Sequence, residues 1–169
     1  AKVKAQKYDC PCVILSFAQH PQEVTSQTPA SKLTTLEERL QLFEKFGVDV
    51  AIILEFNEEL SNFTAFDYLT KNLVKGLNAK SLTIGYDHRF GKNRQGSQFF
   101  LEEFSDRFGY EVNVVPPVSL KGQIVSSSII RKLLRYGDIP LANQLLGRWY
   151  SLSGTIIKGF QRGKELGFP

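Results

Sequence analysis

Apolar runs of strand length alternate with amphipathic segments along most of this 169-residue chain, and this alternation limits the fold more than any other feature. The first run, CVILSF at 12–17, is almost continuously apolar, which predicts a strand buried on both faces. The predicted strands span 12–17, 48–56, 81–86 and 110–116. The helices predicted between and after them span 34–46, 64–75 and 97–108. Strands and helices in alternation, with short connections, predict right-handed βαβ units and therefore an α/β fold with a doubly wound parallel sheet.

The first of these helices carries the clearest local signals. A capping box is available in two registers, Thr34 with Glu37 or Thr35 with Glu38, because each pair places a hydroxyl three residues before a carboxylate. Gly47 is placed to end the helix, since glycine readily adopts the left-handed conformation found there.

The pattern changes after residue 138. DIPLANQLLG at 138–147 predicts a short helix, and RWYSLSGTIIKGF then alternates like the first strand of an antiparallel β-barrel. We therefore expect one domain at 1–147 and the beginning of a second at 148–169. The chain has no Met and opens on a helical pattern without a capping residue, so we expect both of its ends to continue in a longer protein.

The composition argues against several classes of protein. With 42% hydrophobic and 22% charged residues, and no apolar run near the length of a membrane span, the chain reads as soluble, with no membrane partner. The net charge of +4 suits phosphate ligands, but no arginine-rich run or basic helix face indicates a nucleic-acid partner. Cys10 and Cys12 are interpreted as two small buried side chains rather than a metal-binding pair, which agrees with a cytoplasmic location.

Ligands of such folds bind at the carboxyl ends of the parallel strands, so the segments that follow the strands are the candidate site. Phe17 ends the first predicted strand and His20 follows it, although a lone histidine is often structural. The loop GYDHRFGKNRQG at 85–96 combines glycines with cations, which suits phosphate binding. A solvated polar loop remains an alternative interpretation of the same residues.

Ser126, Ser127 and Ser128 lie where a further helix is predicted to begin. Hydroxyls and free backbone N–H groups then meet at the positive end of the helix dipole, and this favours an anion. Arg131 lies one turn further along and could add a bidentate phosphate contact. Simple N-capping is the alternative, but capping needs only one serine. The glycine-rich segment 154–169 predicts either a phosphate-approach loop or a hairpin rich in β-bulges.

Taken together, these segments resemble the prokaryotic bifunctional riboflavin kinase/FMN adenylyltransferases, or FAD synthetases, in order and across essentially the whole chain. The segments that match the patterns of that family are SFAQHPQEV, LTTLEERLQLFEKFGVD, FNEELSNFTAFDYL, IGYDHRFGKNRQG and VSSSIIRKLLRYGDIPLANQLLGRWYSLSGTIIKGFQRGKELGFP. The resemblance implies a Rossmann-like nucleotidyltransferase fold, followed by the first strand of a β-barrel kinase domain.

The resemblance also implies two ATP-dependent reactions in the intact protein. The C-terminal domain would phosphorylate riboflavin to FMN, and the N-terminal domain would transfer AMP from ATP to FMN, giving FAD and pyrophosphate. Mg²⁺ is expected to accompany the ATP, with no separate set of protein metal ligands. ATP, FMN, FAD and riboflavin are therefore the expected small-molecule substrates or products.

Residue roles follow from the same resemblance. Asp87 and Arg131 are the expected catalytic residues, and Ser126, Ser127 and Ser128 join Arg131 on the ATP phosphates. The candidates for the flavin site or the active centre are Phe17, His20, Glu59 and Asp87. The kinase-domain positions are Gly159, Gly163, Lys164, Glu165, Gly167 and Phe168.

The sequence departs from the family pattern at several places. The H-x-G-H motif of the family is expected before Ala1, and its T-A-N motif just past Pro169. Ala18 and Gln19 stand where an acidic residue is often found, and Ser128 stands where Thr is usual. Two alternatives therefore stay open: a catalytically inactive nucleotide- or flavin-binding module, or another small nucleotidyltransferase, such as one for pantetheine phosphate or nicotinate mononucleotide. The latter would lack the GKELGFP continuation.

Overall fold

The computed structural model describes residues 1–18, 31–120, 122–155, 157 and 167. The helices in this part of the chain are α1 (Lys2–Lys7), α2 (Leu36–Lys45), α3 (Glu58–Asn62), α4 (Ala65–Asp67), α5 (Gln98–Phe108), α6 (Ser127–Tyr136) and α7 (Ile139–Leu146). A π-helix at Tyr68–Gly76 continues α4, and a 3-10 turn covers Lys92–Arg94. The strands are β1 (Val13–Phe17), β2 (Val50–Leu54), β3 (Ser81–Gly85), β4 (Glu111–Val115), β5 (Ser119–Leu120) and β6 (Gln123–Ile124).

The strands pair in sequence order. β1 runs parallel to β2, with Val13 opposite Val50, and β3 runs parallel to β4, with Ser81 opposite Glu111. β5 and β6 form a short antiparallel hairpin. The alternation of strands and helices and the parallel direction of the first four strands are therefore confirmed. Within the described residues these strands form two-stranded pairs, and a single doubly wound sheet is not seen.

The prediction that the strands are buried on both faces is wrong. The residues of β1 and β2 are half-buried or exposed, and Val50 at the start of β2 is 42% exposed. A two-stranded pair leaves an open edge and part of one face in contact with solvent, so apolar side chains are only partly covered.

The best-buried core cluster lies against the second strand pair. It contains Leu69 and Leu73 of the π-helix, Leu101 of α5, and Tyr110 just before β4. The Tyr110 hydroxyl donates to the Leu101 carbonyl at 2.7 Å, and burial raises the pKa of this phenol to about 12. Partly buried apolar side chains from three strands pack against the cluster: Leu15, Leu82, Ile84 and Val112. Both strand pairs therefore contribute to one core.

The helix predicted at 64–75 exists, but most of it has π geometry. Thr64 caps its start by accepting from the Asp67 N–H, and the Leu77 N–H bonds the Asn72 carbonyl five residues earlier at 3.0 Å. Bonding to the fifth residue widens the turn, and residues four to five apart then share a face. Leu69 and Leu73 are buried on that face.

Only one of the two capping boxes predicted for the start of α2 is present in the structure. Thr35 accepts from the Glu38 N–H at 3.1 Å, and Glu38 accepts from the Thr35 N–H at 2.9 Å, so the second of the two possible capping boxes forms. Gly47 follows α2 with a φ of 71°, as predicted for a helix end.

The C-terminal segment differs from the prediction of a strand from residue 148 onward. In the described part of the chain, residues 148–155 form no strand. They are held by isolated polar contacts instead. The Tyr150 N–H donates to Asn143 at 2.7 Å, and the Ser153 hydroxyl donates to Glu38 at 2.7 Å.

The two cysteines also differ from each other. Cys12 is buried, and its N–H donates to Asp49 at 2.7 Å. Cys10 is exposed, so the prediction that both are buried is wrong for this residue, which lies in the connection between α1 and β1. As for membranes, the described residues include no helix with the length and apolarity needed to cross a bilayer.

Two ion pairs connect α1 to the start of β4. Lys4 donates to one oxygen of Glu111 at 2.7 Å, and Lys7 donates to the other oxygen. The bonds from Lys4, Lys7 and Tyr8 lower the pKa of Glu111 to about 2. A depressed pKa means that the folded state favours the ionised form of this carboxyl.

Shortening a buried side chain of the core cluster should lower the free energy of unfolding. We expect Leu101→Ala to lower the free energy of unfolding by about 2–5 kcal/mol, because Leu101 is 1% exposed and its removal leaves a cavity. Val3→Ala, at a position 77% exposed, should change it by less than about 0.5 kcal/mol. Denaturant unfolding followed by circular dichroism measures both. Equal losses in the two variants would contradict this assignment of the core.

The Glu111 contacts should make stability depend on pH in acid. Because the pKa falls from 4.5 in the unfolded chain to about 2 in the folded one, the contribution is complete above pH 4.5 and is lost as pH falls toward 2. Glu111→Gln should therefore lower the melting temperature at pH 6, and this difference from the wild type should shrink on acidification. Glu44→Gln, at an exposed position on α2, is the control, and a constant difference for Glu111→Gln would contradict the prediction.

Candidate functional site

The carboxyl end of β1 is held by an arginine of the next helix. Arg39 of α2 donates from Nη2 to the Phe17 carbonyl at 2.6 Å. The Phe17 ring meets Phe56, which follows β2, edge-on at 5.7 Å between centroids. Phe17 therefore lies at this edge of the strand pair, as predicted. Sequence reasoning missed Arg39, because it is one of several charged residues on an amphipathic helix and only the tertiary fold shows its partner.

Glu59 lies close to the carboxyl end of β2. It is in the first turn of α3, where Asn57 caps the helix by accepting from the Leu60 N–H at 2.9 Å. The side chain of Glu59 is exposed. It is therefore accessible to a ligand near this edge, and among the described residues no contact joins it to another candidate.

Asp87 lies in the loop that follows β3. The His88 N–H closes a turn onto the Gly85 carbonyl at 3.0 Å, and the Tyr86 N–H continues the strand pairing to the Val115 carbonyl at 3.1 Å. Asp87 is exposed between these two bonds. Because the pairing runs on to Tyr86, the start of this loop lies beside the carboxyl end of β4.

Close packing and hydrogen bonds hold the rest of this loop against the segment before α4. Gly91, with a φ of 72°, lies so close to Ala65 that a Cβ on it would come within 2.6 Å of the Ala65 nitrogen. The Lys92 N–H donates to the Phe63 carbonyl at 2.7 Å, and its Nζ donates to Asn62 at 3.0 Å. Asn93 and Arg94 follow with φ of 55° and 57°, which is uncommon for residues with a side chain. The loop is therefore held in a defined shape without a ligand.

The three serines divide into one capping residue and two others. Ser126 accepts from the Ile129 N–H at 3.3 Å and so caps α6. Ser127 and Ser128 are exposed, and in the described part of the chain no hydrogen bond of their hydroxyls is recorded. One serine suffices for the cap, and the other two hydroxyls lie beside the open end of the helix.

Arg131 links this helix to the connection after β1. Its Nε donates to the Ser31 carbonyl at 2.6 Å, and Ser31 precedes α2. The contact brings the first turns of α6 to the same connection that leaves the carboxyl end of β1. The structure therefore joins Arg131 to the segment just before α2 through a backbone carbonyl, and the phosphate contact predicted from the sequence stays a prediction.

Several candidate residues lie outside the described part of the chain. These are His20, Gly159, Gly163, Lys164, Glu165 and Phe168. Gly167 is described, with a φ of 79° and no atom within 4 Å of the place of a Cβ. Among the described residues, no group of three His, Cys, Asp or Glu side chains is arranged to hold a metal ion.

Parallel strands with polar loops and a helix start near their carboxyl ends are features of α/β nucleotide-binding domains. The sequence profile of FAD synthetase matches residues 1–129, and that of riboflavin kinase matches residues 146–169. The chain belongs to the FAD synthetase family.

Curated relatives agree with this assignment. The chain is 34% identical over 167 residues to the bifunctional riboflavin kinase/FMN adenylyltransferase of Haemophilus influenzae, covering 98% of this chain and 54% of the relative. The protein of the same name from Escherichia coli K12 is 30% identical over 168 residues, covering 98% of this chain and 53% of the relative. The chain thus spans about half the length of these relatives.

A solved structure has a similar fold. It is a Streptococcus pneumoniae chain described as a macrolide-efflux protein, with a TM-score of 0.84 and 27% sequence identity. The match covers 100% of this chain and 55% of the other.

The different roles of the three serines can be tested by measuring the free energy of unfolding of single variants. Ser126→Ala should lower the free energy of unfolding by about 1 kcal/mol, because it removes the cap of α6. Ser127→Ala and Ser128→Ala should leave it within about 0.5 kcal/mol of the wild type. Chemical denaturation compares the three variants, and a loss at Ser127 or Ser128 equal to that at Ser126 would assign all three to the helix cap.

Proposed function

We propose that this chain is the adenylyl-transfer part of an enzyme that makes FAD. It would bind ATP and FMN, transfer AMP to the FMN phosphate and release pyrophosphate, and the whole protein would also phosphorylate riboflavin to FMN. The observation that carries this proposal is the start of α6, where the Ser127 and Ser128 hydroxyls are exposed and Arg131 contacts the connection from β1.

The arrangement of Arg131 suits a phosphate. Its Nε bond to the Ser31 carbonyl uses one of five guanidinium N–H groups and fixes the direction of the side chain. The remaining N–H groups can bond phosphate oxygens in a bidentate manner. Ser127, Ser128 and the backbone N–H groups of the first turn would add further donors at the positive end of the helix.

The reaction needs charge stabilisation more than covalent help from the protein. An oxygen of the FMN phosphate attacks the α-phosphorus of ATP, the bond to the β-phosphate breaks, and pyrophosphate leaves with the electron pair. Donors held in place before the reaction stabilise the charge on the transferring group. We propose Arg131 for this role and place Asp87, with Glu59, Phe17 and His20, at the substrate site.

Mg²⁺ fits this proposal as an ion carried by the nucleotide. Mg²⁺ in such sites is held mainly by substrate phosphates and water, with one or two carboxylates. The exposed carboxylates of Asp87 and Glu59 are consistent with this, and the described residues form no group of three metal ligands. When bound, the ion would neutralise charge on the phosphates.

The domain organisation belongs to the same proposal. Residues 1–147 would form the adenylyltransferase domain, with the strand pairs as part of a doubly wound sheet. Residues 148–169 would begin the β-barrel of the riboflavin kinase, with Gly159, Gly163, Lys164, Glu165, Gly167 and Phe168 at its substrate site. A cytoplasmic enzyme of small molecules, without a nucleic-acid partner, is the proposed setting.

The chain and an extended version should differ in activity. We expect the 169-residue chain to bind Mg-ATP and FMN in calorimetric titrations and to form negligible FAD, because the sequence contains no H-x-G-H motif. A fusion to the flanking segments of the Haemophilus influenzae relative should form FAD, measured by chromatography. In that fusion Arg131→Ala should raise the KM for ATP by about 10- to 100-fold, as expected for a lost charge-assisted bond.

The control for this experiment is Arg135→Ala, one turn further along α6 and exposed, which should leave the KM for ATP unchanged. Thermal unfolding of each variant separates binding from folding. Loss of the thermal transition in Arg131→Ala would assign that residue to the fold, and robust FAD formation by the 169-residue chain alone would contradict the proposed need for the histidine motif.

A further inference from the structure

His88 is the outer ring of a column of aromatic side chains. Its imidazole stacks on Phe90, with centroids 5.8 Å apart and an interplanar angle of 24°. Phe90 in turn contacts Tyr68 of the π-helix at 5.6 Å and Phe100 of α5 at 6.0 Å. The column therefore runs from the loop after β3 into the helices that cover the core.

The inner part of this column is held by contacts within the loop. Phe90 and Gly96 exchange two backbone hydrogen bonds, at 3.2 and 2.9 Å, which close the loop on itself. Gly96 is buried against the Phe90 ring, so that a Cβ on Gly96 would come within 2.6 Å of that ring. The Phe90 ring cannot move toward Gly96, and the ring that stacks on it is held at a defined place.

His88 itself remains accessible. It is exposed in the described structure, although one face of its ring is covered by Phe90. An exposed ring with Phe90 behind one face can offer its other face to a second planar ring, because offset stacking is the preferred arrangement of aromatic pairs. An exposed stacking partner adds little to the core, so its placement is better explained by a ligand.

The charges around His88 suit a ligand that also carries phosphate. Arg89 donates from its guanidinium to the His88 carbonyl at 2.9 Å, and Arg94 lies close enough to act on the imidazole electrostatically. Burial lowers the pKa of His88, the two arginines add to this, and Asp87 opposes it. The loop thus carries positive charge from Arg89 and Arg94 next to the His88 ring.

We propose that His88 is the stacking contact for the planar ring of a phosphorylated ligand, which is the flavin ring of FMN or the adenine ring of ATP. This proposal rests on the proposed function, because it assigns a ring-binding residue to the same site. The ring would lie on the open face of the imidazole, and the loop arginines would be placed to meet its phosphate.

The test compares three variants with three ligands. His88→Ala removes the ring, His88→Phe keeps it without the nitrogens, and His88→Leu keeps apolar bulk without a flat face. Calorimetric titrations at pH 7.5 measure the Kd of each for FMN, Mg-ATP and inorganic pyrophosphate, which has no ring. Phe46→Ala, at an exposed aromatic position that follows α2, is the matched control, and thermal unfolding checks that every variant is folded.

A stacking role of His88 predicts a specific pattern of Kd values among the three variants. His88→Ala and His88→Leu should weaken one of the two ring ligands by about 3- to 10-fold, as expected for loss of a stacked pair. His88→Phe should bind it like the wild type, and pyrophosphate should bind all variants equally. The ligand that loses affinity identifies which ring lies on His88.

Other patterns overturn the proposal. Unchanged Kd values for both ring ligands in His88→Ala contradict it while leaving the proposed function in place. Equal losses in His88→Phe and His88→Ala would assign the effect to the imidazole nitrogens instead of the ring face. Failure of the wild-type chain to bind either FMN or Mg-ATP contradicts the proposed function, and this inference with it.

Discussion

Burial of Leu69 and Leu101 in one cluster is the interaction on which the rest of the described structure depends. They are the largest side chains with almost no exposure, and they join the π-helix to α5. Leu82 and Ile84 of β3 pack on the same cluster, as does Val112 of β4, so the second strand pair is placed by it. Because apolar burial is the main favourable term in folding, the position of the loop after β3 follows from this core.

That loop shows how a rigid core supports a strained segment. Asn93 and Arg94 both have positive φ, and each such residue costs on the order of 1–3 kcal/mol. The cost is offset by contacts on either side, including the close approach of Gly91 to Ala65 and the backbone bond from Lys92 to Phe63. The strain persists only because these neighbours hold the chain in place. A loop with this support presents its side chains in one arrangement.

Periodicity and capping chemistry were enough to predict β1 to β4 and the helices α2, α5, α6 and α7, since each depends on residues close in sequence. The Thr35–Glu38 capping box is an example, because three residues separate the two partners and no distant contact decides it. The π geometry after Asp67 could not be predicted this way, because it depends on how Leu69 and Leu73 meet α5. The incomplete burial of the strands could not be predicted either, because an apolar run does not tell how many neighbours a strand will have.

In the candidate site too, some features follow from residues close in sequence and others from contacts between distant parts of the chain. Three serines before an amphipathic helix indicate a helix start, and the structure agrees that Ser126 is the cap. The partner of Arg131 lies 100 residues away at the Ser31 carbonyl, and only the fold brings the two together. His88 stacks on Phe90 two residues further along the same loop, whereas the packing of Phe90 on Tyr68 and Phe100 depends on the fold.

The start of α6 and the aromatic column at His88 suggest two different places at which the two ends of one ligand could bind. The helix start at α6 offers hydroxyls and N–H groups, which suit phosphate, whereas the aromatic column at His88 offers a flat apolar surface. The Tyr86 N–H bonds the Val115 carbonyl at 3.1 Å, which places the start of the His88 loop beside the carboxyl end of β4, and α6 follows β4 in the chain after the β5–β6 hairpin. The proposed substrates, a nucleotide and a flavin phosphate, each have a charged end and a planar end.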